Sequence, residues 1–212
     1  MTNIYKLFKF LEDKEGKPIP FKTKLIYAPE TLTPEELKVG SGLSLQHTSI
    51  TSLPAGLEVG DYLNLSFTSV TSLPAGLTVG GNLTLFNTPI TSLPAGLTVG
   101  GDLDLSNTKI TSLPDNLKVG GNLFLSYTPI TSLPADLKVG GYLDLGNTPI
   151  TSLPAGLEVG DYLDLSYSKI TSLPADLKVG ANLWLNVTPI AKKYTVKQIR
   201  KMVPGVKGEI YK

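Results

Sequence analysis

The chain has 212 residues, of which 41% are hydrophobic and 17% are charged, as in an ordinary single soluble domain. It contains no cysteine, which excludes disulfides, thiol nucleophiles and thiolate metal sites. It has neither a run of about 18 apolar residues nor a secretory signal pattern, so we expect no membrane span and a cytoplasmic location.

The formal net charge of +1 hides a segregation of charge along the chain. Residues 31–190 hold 13 acidic and 6 basic side chains, whereas residues 191–212 hold seven lysines or arginines and one glutamate. A basic end could bind nucleic acid or an anionic surface, but solvated lysines on a terminal cap explain it better. We favour the cap and do not expect nucleic acid as a partner.

Residues 1–30 precede the regular part of the chain. Ile4, Leu7, Phe8 and Leu11 have helical spacing, whereas residues 13–18 are typical of a hairpin turn. Either structure would cover the first repeat. We therefore interpret residues 1–30 as an N-terminal cap and leave its type open.

A 20-residue unit, T-S-L-P-x-x-L-x-V-G-x-x-L-x-L-x-x-T-x-I, recurs from Thr51, and a looser copy begins at Thr31. Eight units fill residues 31–190, and a fixed short period predicts a stacked solenoid. The alternation of Leu63 and Leu65 predicts a short strand, and identical units would stack such strands in parallel about 4.8 Å apart. Residues 53–59 are too broken for a helix, so we expect extended or polyproline-like convex sides.

Three further columns of the repeat carry conformational signals. Each position of the unit is named by its residue number in the copy at residues 51–70. The glycine at position 60 never varies from copy to copy, which indicates either a positive φ or a backbone contact that excludes a Cβ. At position 56, glycine alternates with Asn116, Asp136 and Asp176, so we predict left-handed backbone there. Thr68 and its equivalents form a hydroxyl column, which we expect to bond to backbone groups.

Residues 191–212 break the period and form a C-terminal cap of the same continuous domain. Thr195 is placed to cap a short helix over residues 196–202, which Pro204 would end. The spacing from Val206 to Ile210 repeats that of residues 179–183. We therefore predict a final strand that closes the sheet.

The segment Leu63-x-Leu65-x-x-Thr68-x-Val70 resembles the leucine-rich-repeat pattern L-x-L-x-x-N-x-L, with threonine in place of asparagine. Gly60 stands where the first leucine of that pattern would be. The resemblance covers about three quarters of the chain and implies an α/β leucine-rich-repeat solenoid. Such a solenoid is a right-handed coil with a parallel sheet on its concave face and little helix on its convex side.

The short period and the Leu-Pro-x-x-Leu element look like repeats of bacterial and bacteriophage proteins. They are also similar to the repeats of secreted bacterial effectors, some of which carry a cysteine-dependent ubiquitin ligase. That activity does not transfer to a chain without cysteine. In general, the resemblance implies protein binding, and less often the binding of sugars, lipids or nucleic acids.

Positions 62 and 64 of each unit face outward if Leu63 and Leu65 point inward. These columns vary most and collect aromatic and acidic side chains that a core does not need. Free drift would explain their Ser, Asn and Thr residues better than it explains the aromatic cluster. The candidate binding residues are Tyr62, Asp102, Asp104, Phe124, Tyr142, Asp144, Tyr162, Asp164 and Trp184.

We predict a non-enzymatic scaffold that binds a protein through the C-terminal half of its concave face, without cofactor or metal. Two alternatives stay open: a carbohydrate-binding module that uses Tyr142, Tyr162 and Trp184, and an acidic mimic of nucleic acid. Asp144 and Asp164 could lie about 5 Å apart, as in a retaining glycosidase or a calcium site. An open sheet does not desolvate an acid, and two carboxylates are too few for calcium, so we expect neither.

Overall fold

The computed structural model describes residues 3–16, 18–135 and 137–212. The chain begins with two helices, α1 (Asn3–Glu15) and α2 (Phe21–Tyr27), and a 3-10 turn over Pro29–Thr31. Helix α1 is followed by Gly16, whose φ of 63° is the left-handed conformation in which glycine commonly ends helices. Of the two types left open for this segment, the structure has the helix. The hairpin turn is wrong for residues 13–16, and Lys17 lies outside the described residues.

Each coil of the repeat contributes two strands of two residues. The first strand of a coil holds the repeat valine, and these strands are β1 (Lys38–Val39), β3 (Glu58–Val59), β5 (Thr78–Val79), β7 (Thr98–Val99), β9 (Lys118–Val119), β11 (Lys138–Val139), β13 (Glu158–Val159) and β15 (Lys178–Val179). The second strand begins with a repeat leucine, and these strands are β2 (Leu43–Ser44), β4 (Leu63–Asn64), β6 (Leu83–Thr84), β8 (Leu103–Asp104), β10 (Leu123–Phe124), β12 (Leu143–Asp144), β14 (Leu163–Asp164) and β16 (Leu183–Trp184).

Within the described residues the odd-numbered strands β1 to β15 form an eight-stranded parallel sheet, and the even-numbered strands with β17 (Ile210–Tyr211) form a nine-stranded one. Register is strict, since Leu63 pairs with both Leu43 and Leu83 one coil away. The expected parallel sheet and extended sides are both present, and the extended residues also pair between coils as a second sheet. Residues 58–59 are extended but hydrogen-bonded, and the Gly60 amide donates to the Val39 carbonyl at 2.7 Å.

The core is a set of aliphatic columns that run the length of the solenoid between the two sheets. Leu63 and Leu65 are completely buried, and Val59 from the first sheet fills the space beside them. The threonine column lies at the edge of this core, where the Thr68 hydroxyl donates to the Leu65 carbonyl at 2.6 Å. Equivalent bonds in other coils confirm that these hydroxyls bond to their own backbone.

The two glycine columns have different causes. A Cβ on Gly60 would lie 2.7 Å from the Gly40 carbonyl oxygen, so close coil-to-coil approach explains this column. Left-handed backbone is confirmed for position 56 of the unit, for example at Gly56 and Asn116 with φ of 79° and 62°. It is wrong for Asp176, whose carboxylate instead accepts the Gly156 amide at 2.9 Å. Asp136 lies outside the described residues.

The C-terminal segment closes the end of the solenoid with α3 (Pro189–Lys193), α4 (Val196–Met202) and β17. Thr195 caps α4 through a reciprocal pair of bonds with Gln198, so the predicted helix is confirmed. The final strand is confirmed in its expected register, with Ile210 opposite Leu183. None of the described helices has the length and hydropathy that crossing a bilayer requires.

Replacing Gly100 by alanine tests the close approach of the coils. The new Cβ would collide with the Gly80 carbonyl, so we expect a loss of about 1–3 kcal/mol in unfolding free energy. Gly40→Ala is the matched control, because nothing lies within 4 Å of its Cβ position. Urea denaturation measures both variants, and equal stability of the two would contradict the steric explanation.

Candidate functional site

The polar residues at position 62 of the repeat form a hydrogen-bonded ladder between coils. The side-chain oxygen of Asn82 accepts the Asp102 amide at 2.8 Å, and Asp102 in turn accepts the Asn122 amide at 2.8 Å. Asn122 does the same for the Tyr142 amide. Asparagine and aspartate in this column therefore help the coils to stack and need no ligand to explain them.

Polar residues at position 64 have a different local role. The Asp104, Asp144 and Asp164 carboxylates each accept the backbone amide two residues later, at 2.7–2.9 Å. Asn64 makes the same contact with the Ser66 amide. One oxygen of each aspartate therefore shapes the turn after the strand. The second oxygen is not needed for that turn.

Aromatic residues in the same two columns form one contiguous group at the C-terminal end of the nine-stranded sheet. Tyr162 and Trp184 have ring centroids 5.0 Å apart, and Tyr142 stands nearly perpendicular to both, at 6.5 and 6.4 Å. Phe124 contacts Tyr142 edge-on, and Tyr211 stacks on Trp184. We call these five residues the aromatic cluster. No ladder bond reaches the amides of Tyr162 and Asn182, because the preceding coil presents tyrosine there.

A shallow, open pocket of about 510 Å³ lies on this part of the sheet. Two perpendicular aromatic walls meet there, and amide, hydroxyl and carboxylate groups complete the lining. Its residues are Asn122, Tyr142, Asp161, Tyr162, Asp164, Ser166, Trp184 and Asn186. No lysine or arginine is among them. The pocket thus offers ring surfaces and hydrogen-bond acceptors to a ligand that supplies donors or positive charge.

Negative charge on this face has no internal counterion. The ion pairs among the described residues join Lys24 to Glu36 and Glu158 to two lysines, and none includes a carboxylate of the aromatic face. Burial raises the pKa of Asp144, and the charges of Asp164 and Asp104 act in the same direction. Burial and the charges of Asp144 and Asp164 also raise the pKa of Tyr142. The carboxylates of this surface therefore repel one another without an intramolecular ion pair to offset the repulsion.

The sequence-predicted site residues divide into two groups in the structure. The cluster brings together Phe124, Tyr142, Tyr162 and Trp184, and strand pairing places Asp144 opposite Asp164. The remaining residues, Tyr62, Asp102 and Asp104, lie two or more coils from Tyr142 along the solenoid. Asp102 belongs to the coil ladder, Asp104 shapes its turn, and Tyr62 forms no ring contact.

Sequence reasoning missed several residues of this surface. Tyr211 joins the cluster because β17 places it opposite Trp184. Following the Val206-to-Ile210 register one residue further would have found it. Position 67 of the repeat was also missed: its residues adopt left-handed backbone without being glycine, at His47, Phe67, Asn87, Asn107, Tyr127, Asn147, Tyr167 and Val187. Tyr127, 65% exposed, shows that this turn carries side chains outside the core.

A larger hollow lies elsewhere, on the eight-stranded sheet. It measures about 840 Å³ and exists because the glycine column gives the sheet no side chains there. Lys138 and Lys178 line it but are paired with Glu158. Its lining repeats in most coils, so we do not regard it as the specific site. Among the described residues, no group of three or more His, Cys, Asp or Glu side chains is placed to hold a metal.

Comparison with known proteins gives similarity to solved structures only. No model of a known protein family matches the chain, and no curated protein matches it either. Among solved structures, the chain is similar to a leucine-rich-repeat protein of Leptospira interrogans, with 18% identity, 76% of each chain covered and a TM-score of 0.26. That score is too low to support an argument, so the assignment rests on the coils themselves. The fold is a leucine-rich-repeat-like solenoid.

Replacing Asp144 by asparagine tests the uncompensated charge. Asparagine keeps the turn bond, as Asn64 shows, and removes repulsion with Asp104 and Asp164. A raised native pKa means that the folded state binds more protons than the unfolded chain just above the ordinary pKa, so wild-type stability falls as pH rises through that window. We therefore expect the variant to be more stable at pH 7, by about 0.5–1 kcal/mol.

Chemical denaturation at pH 7 and at pH 3 measures this effect. The advantage of Asp144→Asn should shrink at pH 3, where the aspartate of the wild-type protein is protonated in both states. Asp115→Asn, on an exposed turn, is the control and should change little at either pH. A variant that is less stable than the wild-type protein at pH 7 would contradict the charge argument.

Proposed function

We propose that the protein is a non-enzymatic scaffold that binds a partner protein through the aromatic cluster and the carboxylates beside it. Leucine-rich-repeat-like solenoids commonly serve as protein-interaction scaffolds. The observation that carries the proposal is the break in the coil ladder. Three coils bond to the next one through asparagine or aspartate, and Tyr62 is a single break elsewhere, whereas two successive coils of the cluster hold Tyr142 and Tyr162. These tyrosines omit a hydrogen bond that stacking would use, so ligand contact is the better reason for them.

The composition of the surface supports protein recognition. Tyrosine and tryptophan are enriched among the residues that dominate binding energy at protein interfaces, and they usually lie near the centre of the contact. Tyr162 and Tyr211 are both exposed in the free protein, and the cluster spans several neighbouring strands. The carboxylates around it would favour a basic partner surface and speed its association at low salt.

The repeat supplies substitutions that remove the cluster while retaining the solenoid. Tyr162→Asn introduces the ladder residue of other coils, and Trp184→Asn introduces the turn residue of Asn64. We expect the double variant to lose a partner that the wild-type protein captures from a lysate of its native cells, with binding at least about tenfold weaker. Quantitative capture followed by mass spectrometry measures this.

Phe67→Asn is the matched control for that experiment. It also replaces an exposed aromatic residue by asparagine, and its left-handed backbone suits asparagine. It lies about four coils from Tyr142. Capture that is unchanged in the double variant, with the folded state verified by circular dichroism, would exclude the aromatic cluster as the binding site.

A carbohydrate is the second candidate ligand, and the pocket is the observation that favours it. Tyr142 and Trp184 could stack on a sugar ring, while Asn122 and Asn186 offer amide groups to its hydroxyls. Binding of this type would respond little to salt, whereas a basic protein partner would bind more weakly as salt rises. A glycan array in which no hit is sensitive to Trp184→Asn would exclude the sugar.

A further inference from the structure

The pocket within the aromatic cluster has a chemical preference that the general protein-binding role does not specify. We propose that it receives an arginine side chain from a basic segment of the partner, with the guanidinium against the rings and its N–H groups on Asp164 and Asp161. This inference rests on the proposed function and specifies which group of the partner enters the pocket.

Geometry is the first argument. Tyr142 is 82° from the plane of Trp184 and 80° from that of Tyr162, so the rings make a corner rather than a flat platform. A planar group lying on one wall of this corner would have its edge exposed to the polar lining. Guanidinium is planar, stacks on aromatic faces and presents several donors along its edge.

Available acceptors are the second argument. One oxygen of Asp164 accepts the Ser166 amide at 2.7 Å, and the other lies 3.5 Å from the Tyr142 hydroxyl, too far for a strong bond. The Asp161 side chain forms no hydrogen bond or ion pair in the structure. The pocket therefore has carboxylate oxygens that lack a strong hydrogen bond within the protein. The Asn122 oxygen already serves the coil ladder, and the Asn186 amide nitrogen donates to Ser166.

The carboxylates near the pocket lack a counterion, which favours a cationic ligand over a neutral one. Asp104, Asp144 and Asp164 stand in one column without an intramolecular ion pair, and the pKa of Asp144 is raised in part by the other two. A sugar would add further burial to these carboxylates without neutralising them. An arginine side chain would offset their mutual repulsion and form charge-assisted hydrogen bonds.

Trp184 is the only tryptophan of the chain, so its fluorescence reports on this pocket directly. The probes are hexa-arginine and hexa-citrulline, which have the same shape but differ in charge. We expect a saturable change with hexa-arginine, binding at least about tenfold weaker for hexa-citrulline, and weaker binding as salt rises. Equal binding of the two peptides would overturn the proposal.

Asp164→Asn is the decisive variant, since asparagine can keep the Ser166 turn bond while losing the charge. We expect hexa-arginine to bind it at least about tenfold more weakly, with Asp115→Asn binding like the wild-type protein. Wild-type affinity in Asp164→Asn would overturn the assignment of this carboxylate. Failure of hexa-arginine while partner capture still depends on Tyr162 and Trp184 would refute the arginine pocket but leave the scaffold function intact.

The same variants also test two other possible occupants of the pocket. Binding of cellohexaose that quenches Trp184 and is indifferent to Asp164→Asn would assign the pocket to a carbohydrate and overturn the proposal. Sedimentation of the protein alone tests whether the basic segment 191–212 of a second copy enters the pocket. Salt-sensitive self-association that is lost in Asp164→Asn would overturn the assignment to a separate partner.

Discussion

In-register backbone pairing between successive coils is the interaction on which the rest of this structure depends. A single 20-residue coil buries too little apolar surface to offset the entropy of ordering its chain, so the fold exists only as a stack. Strict register places each residue beside its equivalent one coil away, and every position becomes a column. The column of Gly60 shows how close this contact is, because the space for a Cβ is occupied by the carbonyl of the previous coil.

Columns make it possible to separate residues that build the solenoid from residues that do something else. Asn82, Asp102 and Asn122 look like a variable polar surface in the sequence, yet each bonds to the next coil. Tyr142 and Tyr162 make no such bond to the amide of the next coil, and contact their neighbours through their rings instead. A binding residue is therefore expected where a column lacks the residue that bonds to the next coil. Sequence variability alone is a weaker indication of a binding site.

The sequence predicts most of the fold because the period reveals burial directly. Leu63, Leu65 and Thr68 recur at spacings that identify an inward strand and the turn after it. The second sheet could not be predicted, since residues 58–59 are too short to show an alternation. Left-handed backbone at position 67 was equally hidden: Asn87 suits it, but Phe67 and Tyr127 give no signal for that conformation.

The sequence indicates part of the candidate surface, and the structure adds the contacts that its residues make. Trp184 and Tyr162 stood out as aromatics without a place in the core, and the structure puts them in contact. The roles of Asp102 and Asp104 depend on hydrogen bonds that cross coils or close a turn, which residue type alone does not reveal. Tyr211 lies beyond the repeat, so its place beside Trp184 follows only from the register of the last strand.

Site-resolved amide hydrogen exchange tests the central claim, that the aromatic residues interrupt a ladder which polar residues maintain. The amides of Asp102, Asn122 and Tyr142 are bonded to a side chain of the preceding coil. Those of Asn82, Tyr162 and Asn182 are not. We predict that, after correction for intrinsic rates, the first three exchange at least about tenfold more slowly than the last three. Equal protection of the two sets of amides would contradict the account. The side-chain hydrogen bond that is missing at the tyrosines would then contribute nothing to holding the coils together.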